Sequence, residues 1–172
     1  MRRVHLDAVF LDTSAVVCAV QSGIPHHRAC RDYCDQLVRD GRRVVISQIL
    51  RIEFAQTWYR MLATSYVQPQ VVPAFRLGAW DRDAAVRETW MAYGFTLLDG
   101  LVAGFAGTLE VPIEESVIAA SVRIMARHRL RSHDAIHVAT ALAAGVPDFT
   151  SVDSDFRRVP TLRLRLLRDP EA

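Results

Sequence analysis

A four-residue apolar run, Ala8-Val9-Phe10-Leu11, ends abruptly in a carboxylate, Asp12, and two hydroxyls, Thr13 and Ser14. A run this short reads as a buried strand rather than a helix. In an open parallel sheet, ligand sites lie just beyond the carboxyl ends of the strands, so Asp12 stands where a site residue belongs. An Asp at that place is equally suited to be the N-cap of the next helix. Which reading holds depends on whether other acids reach equivalent places.

The rest of the chain alternates in the same way. Ser14–Gln21 reads as a short helix ending near Gly23, and Pro25-His26-His27 as a turn. Ala29, Cys30, Tyr33, Cys34, Leu37 and Val38 form a helical stripe stopped by Gly41. Val44-Val45-Ile46 is the second strand, with Ser47 as the cap of a helix bearing Leu50, Phe54, Trp58, Met61 and Leu62 on one apolar face. In the middle, Asp83–Tyr93 reads as a helix closed by Gly94, and Leu97–Phe105 as another. Leu109-Glu110-Val111 is a third strand. Glu114 and Glu115 open a helix with Val117, Ser121, Ile124 and Met125 inward, ending in Arg127, His128 and Arg129, charges of the right sign for the helix dipole. An Ala-rich helix follows from a Ser132 cap, with Asp134 in its first turn, stopped by Gly145 and Pro147. Phe149-Thr150-Ser151 is a fourth strand. In the last, Leu162, Leu164 and Leu166 alternate with Arg163 and Arg165. The expected fold is α/β, one domain over residues 1–172, with a mainly parallel sheet flanked by helices. A helical segment enlarges the middle, about 66–107. An α+β arrangement with a helical insert is the alternative.

Composition narrows the chemistry. All 21 basic residues are Arg and the chain has no Lys, which removes P-loop and Schiff-base mechanisms. A net charge of +2 gives no overall pull on nucleic acid. No apolar run has the length of a membrane span and the N-terminus lacks a signal peptide, so a cytoplasmic protein is expected. The three cysteines, Cys18, Cys30 and Cys34, suggest core packing rather than a disulfide framework or a metal site.

Three further acids repeat the placement of Asp12: Glu53 early in the helix after the second strand, Asp134 in the first turn of the Ala-rich helix, and Asp153 just past the fourth strand. Carboxylates gathered in one cleft repel each other and take up protons unless a cation joins them. A hard divalent ion such as Mg²⁺ suits oxygen ligands and phosphate substrates. It can polarise a phosphodiester and activate water. The competing reading for each acid is an N-cap or a surface charge.

In their order, FLDTSAVV, SQILRIEFAQ, LRSHDAIHVATAL and TSVDSDF followed by RRVP resemble the PIN-domain ribonucleases, most closely the VapC-type toxins of toxin–antitoxin pairs. The resemblance spans nearly the whole chain. It implies an endoribonuclease dependent on Mg²⁺ or Mn²⁺, with Asp12, Glu53, Asp134 and Asp153 as metal-binding and catalytic acids, and with Asp155 a rival for the fourth place. It also implies a homodimer inhibited by a VapB-type antitoxin whose tail covers the acidic cleft. An RNA-processing or DNA-acting nuclease without an antitoxin, or an inactive interaction module, are the alternatives. The segment from Tyr66 to Gly107 is longer than the family pattern, which bears on the dimer surface, the antitoxin groove and specificity. Of the hydroxyls after the first acid, Thr13 is expected to cap.

Other features have two readings each. His133 and His137 flank Asp134 at helical spacing; zinc would need a third ligand, and helix–sheet packing is the competitor. Asp81 and Asp83 read as a helix start. Trp58, Trp80 and Trp90 suit base stacking or an interface, Trp58 also the core. The Arg-rich C-terminus, with Arg157, Arg158, Arg163, Arg165 and Arg168, suits phosphate contact or a solvated strand face.

Overall fold

In the computed structural model, which describes residues 7–66 and 84–170, five parallel strands form one sheet. They are β1 (Ala8–Leu11), β2 (Arg43–Ser47), β3 (Thr108–Val111), β4 (Asp148–Ser151) and β5 (Arg163–Leu166), in the order β3-β2-β1-β4-β5. The helices are α1 (Thr13–Val20), α2 (His27–Arg39), α3 (Ile49–Tyr66), α4 (Ala84–Ala103), α5 (Glu115–His128) and α6 (Ser132–Ala143). A short 3-10 helix, Ser154–Arg158, follows β4. None of the described helices is long and apolar enough to cross a membrane.

Strand alternation sorts the core into two halves. Val9, Leu11, Val44 and Ile46 face a layer holding Leu50, Phe54 and Trp58 of α3, Leu98 of α4 and the buried Cys30 and Cys34 of α2. Ala8, Phe10, Val45 and Phe149 face the other way, against Ala135, Val138 and Ala141 of α6. The result is a sheet between two helical layers, as alternating strands and helices require. All three cysteines are buried free thiols. Burial, its main cause, pushes the Cys34 thiol up to about 12, as expected of a packing residue.

The strand order has one consequence for the site. The chain runs outward from β1 through β2 to β3, then returns to lay β4 on the opposite side of β1. The loops after β1 and β4 therefore diverge at a topological switch, where a crevice opens at the carboxyl edge of the sheet.

Several sequence expectations need correcting. Ser47 is no cap. It ends β2, fully buried, and alternation turns its side chain toward α6, away from α3. The middle does not hold two helices broken at Gly94: α4 runs unbroken through it. Gly94 is there for proximity, since a Cβ would stand 3.3 Å from Trp58. Ser132 is the first residue of α6, after Arg131 at the cap position. On α5, Val117 and Ser121 are buried, but Met125 is exposed with Ile118 and Val122, one helical row further round. Val38 of α2 is also exposed. Trp58 is core, stacked on Phe54, and Trp90 lies beside Tyr59. Arg163 pairs with Asp148, and Arg165 lies over the Tyr33 ring. Trp80, Asp81, Asp83 and the side chain of Leu62 lie outside the described residues.

Candidate active site

Asp12 is both a helix cap and a lining residue of a cleft. It is the N-cap of α1: its Oδ2 accepts the Ser14 backbone N–H at 3.2 Å, together with the hydroxyls of Ser14 and, at 2.9 Å, Ser151 at the end of β4. It also lines a cleft of about 580 Å³ whose wall includes Glu53, Asp134 and Asp153. The two strands at the switch point are thus tied through one carboxylate, backed by the Asp12 N–H donating to Thr150 O at 3.0 Å.

Thr13, expected to cap, does not. Its hydroxyl donates to Glu53 Oε2 at 2.6 Å and lies 3.0 Å from His137 Nε2. The reason is geometric: Asp12 already occupies the cap, and the first helical residue turns its side chain into the cleft.

Glu53 reaches the cleft from the second turn of α3, where it meets both histidines of α6. His137 Nε2 lies 2.7 Å from Glu53 Oε2, and His133 Nδ1 lies 3.0 Å from Oε1. His137 is buried, and its other nitrogen contacts the Ser47 hydroxyl at 2.7 Å. Burial is the largest single influence on His137 and opposes its charge. The hydrogen bond to Glu53 and the charges of Asp12, Glu53 and Asp134 outweigh it and raise the pKa. Burial likewise works against the Glu53 carboxylate. The hydrogen bonds from His137 and Thr13 and the charge of His137 prevail, holding Glu53 below the ordinary range. Both directions arise from the same contact between the imidazole and the carboxylate.

Among the described residues Asp134 has no such partner. Burial first, then repulsion from Asp12 and Asp153, pushes its carboxyl up to about 6. Asp153 lines the same cleft and, like Asp12, caps a helix, its Oδ1 accepting the Asp155 N–H at 2.8 Å in the 3-10 turn after β4. Asp155 turns to Arg158, 2.8 Å away, and is not among the lining residues, so of the two rivals Asp153 is the one that faces the cleft.

The donor set suits a hard cation. Four carboxylates line one cleft, and burial first, then repulsion from Asp12 and Asp153, holds Asp134 above the ordinary range. Among the described residues no three His, Cys, Asp or Glu side chains stand together as a ready-made cage. Both histidines are engaged by Glu53, which argues against zinc on that pair.

The four acids singled out in the sequence all line this cleft, and sequence reasoning misses much of what surrounds them. Ser47, Ser151 and the paired role of His137 emerge only when β2, β4 and α6 meet. The spacing of His133 and His137 around Asp134 is the available signal, since it puts two imidazoles on the face bearing the acid.

Comparison with known proteins places this geometry. The chain resembles the VapBC2 complex of Rickettsia felis bound to a promoter DNA fragment, at 12% identity and a TM-score of 0.57, covering 92% of this chain and 98% of that one. A toxin–antitoxin complex from Klebsiella pneumoniae matches at 16% identity and a TM-score of 0.51, covering 90% and 94%. PAE2754 of Pyrobaculum aerophilum matches at 13% identity and a TM-score of 0.55, covering 91% and 82%. No curated protein matches by sequence. At these identities the likeness concerns the fold. The PIN domain model itself matches residues 9–162, from β1 to the turn before β5, and with that extent the chain belongs to the PIN domain family of nucleases.

Proposed function

We propose that this protein is a metal-dependent endoribonuclease and the toxin of a VapC-type toxin–antitoxin pair. The observation that carries the reading is the meeting of Asp12, Glu53, Asp134 and Asp153, four acids scattered along the chain, in one cleft at the switch point of a PIN fold. The resemblance to toxin–antitoxin complexes supports an antitoxin partner, and in this reading the toxin acts as a homodimer.

Asp12, Glu53, Asp134 and Asp153 would hold Mg²⁺ or Mn²⁺, which supplies a Lewis acid for the scissile phosphate and a water of lowered pKa. The protein's own part is orientation. Ser14 and Ser151 fix Asp12 through Oδ2, and Thr13 and His137 fix Glu53 through Oε2. Preorganised acids of this kind spend little of the reaction's free energy on rearrangement. Asp134, the least compensated acid, gains most from a cation.

Purified protein incubated with RNA and Mg²⁺ or Mn²⁺ tests the reading. Cleavage is expected to disappear in Asp12→Asn and Asp134→Asn, and growth arrest on induction is expected to disappear with it. Undiminished RNA cleavage by both variants overturns the assignment. Metal binding without RNA cleavage by the wild type directs attention to a DNA substrate.

A further inference from the structure

The cleft extends beyond the acids. Glu53, Gln56, Thr57 and Arg60 recur at the helical spacing that places them on one face of α3, and all four line it. The opposite face, with Phe54 and Trp58, is buried in the core. Along α3 the lining therefore changes from carboxylate through amide and hydroxyl to guanidinium. Arg60 stands about 10 Å along the helix axis from Glu53, by the 1.5 Å rise of each residue. Among the described lining residues it is the one guanidinium.

This gradient matters for a polyanion. The acid end repels a nucleic acid strand, and a net charge of +2 supplies little general attraction. A strand seated with one phosphate at the acids needs a cation for a neighbouring phosphate. A planar guanidinium binds phosphate through paired N–H donors, and Arg60 is exposed at the cleft wall.

We infer that the α3 face bearing Gln56, Thr57 and Arg60 is the seat of the RNA strand next to the scissile bond, with Arg60 binding a flanking phosphate. The inference rests on the ribonuclease reading. Arg60 is a positioning residue here, distant from the acids that surround the reacting phosphate.

The test uses the full chain and a single-stranded RNA with Mg²⁺. Arg60→Gln is expected to raise KM about five- to tenfold, the range for losing one exposed charge-assisted contact, and to leave kcat within about twofold. Arg60→Lys is expected to recover part of the loss. In the Asp12→Asn background, where cleavage is expected to be absent, Arg60→Gln is expected to lower the slope of log binding constant against log salt by about 0.7, one phosphate's share on a single strand. A neutral methylphosphonate, walked through the linkages beside the cut, is expected to weaken the wild type at one linkage and to leave Arg60→Gln indifferent there.

An unchanged KM and salt slope in Arg60→Gln overturns the inference while RNA cleavage by the wild type still stands. So does a KM that changes only in step with the midpoint of a Mn²⁺ titration, since Arg60 is then a counter-charge to the acids. If the wild type cleaves no RNA, the parent reading fails and this one with it.

Discussion

His137 Nε2 and Glu53 Oε2 lie 2.7 Å apart, joining α6 to α3 across the carboxyl end of the sheet. The histidine side chain is almost wholly buried, at 1% exposure, and the glutamate's at 16%. With Ser47 on the far imidazole nitrogen and Thr13 on the same carboxylate oxygen, the pair joins residues from β2, α1, α3 and α6. Breaking a buried pair from one side leaves a charge without a partner.

His137→Leu is therefore expected to destabilise the metal-free fold by about 2–3 kcal/mol, less than for a fully buried pair because Glu53 retains some water. Glu53→Leu in that background is expected to cost less than Glu53→Leu alone, with a coupling of about 1–2 kcal/mol in a urea-denaturation cycle. Additive losses would contradict the pairing.

Asp134 runs opposite to the usual acid. Its folded pKa of about 6 lies above its ordinary 3.8, so between these values the folded chain binds more protons than the unfolded one. Stability of the metal-free protein is then highest at the acid end of this window and falls as pH rises through it. Asp134→Asn removes that dependence. It is expected to stabilise the metal-free protein at pH 7.5 by about 1–2 kcal/mol, discounted because the group is only half-buried. Denaturation at a series of pH values checks both the sign and the window.

Divalent ions are expected to act in the opposite sense. Mn²⁺ at about a hundred times its Kd adds about 2.7 kcal/mol to a fold that alone binds it. The melting temperature of the wild type is expected to rise with Mn²⁺ and to return with a chelator. That of Asp12→Asn or Asp134→Asn is expected to move little.

The two glycines of α4 make a separate comparison. At Gly94 a Cβ meets Trp58 at 3.3 Å, whereas at Gly100 it meets nothing within 4 Å. Gly94→Val is expected to cost about 2 kcal/mol, because the buried indole has little room to yield. Gly100→Ala is expected to gain about 0.5–1 kcal/mol through helix propensity alone. Equal effects at both positions in thermal melts would show that the Trp58 contact carries no energy.

Sheet and helices are legible in the sequence because apolar period and length report burial directly. Val9 and Leu11 alternate with Ala8 and Phe10 just as the two core halves require. The four acids are legible because strand ends and helix starts share one edge of a parallel sheet. Long-range partners are hidden. Ser47 reads as a cap until the facing helix is known, and Gly94 reads as a stop because sequence does not reveal the indole it lies against. Thr13 reads as a cap too, yet only one side chain can cap α1, and Asp12 stands at the position that does so.

Asp12 divides its labour between its two oxygens. Oδ2 is engaged by Ser14 and Ser151, while Oδ1 lies 3.7 Å from His137 Nε2. An amide retains the cap and surrenders the charge. A descendant of this chain that exchanged Asp12 for Asn would keep its first helix and its join to β4 while losing the negative charge that Asp12 brings to the cleft. That loss would be written in a single position, invisible in the outline of the fold.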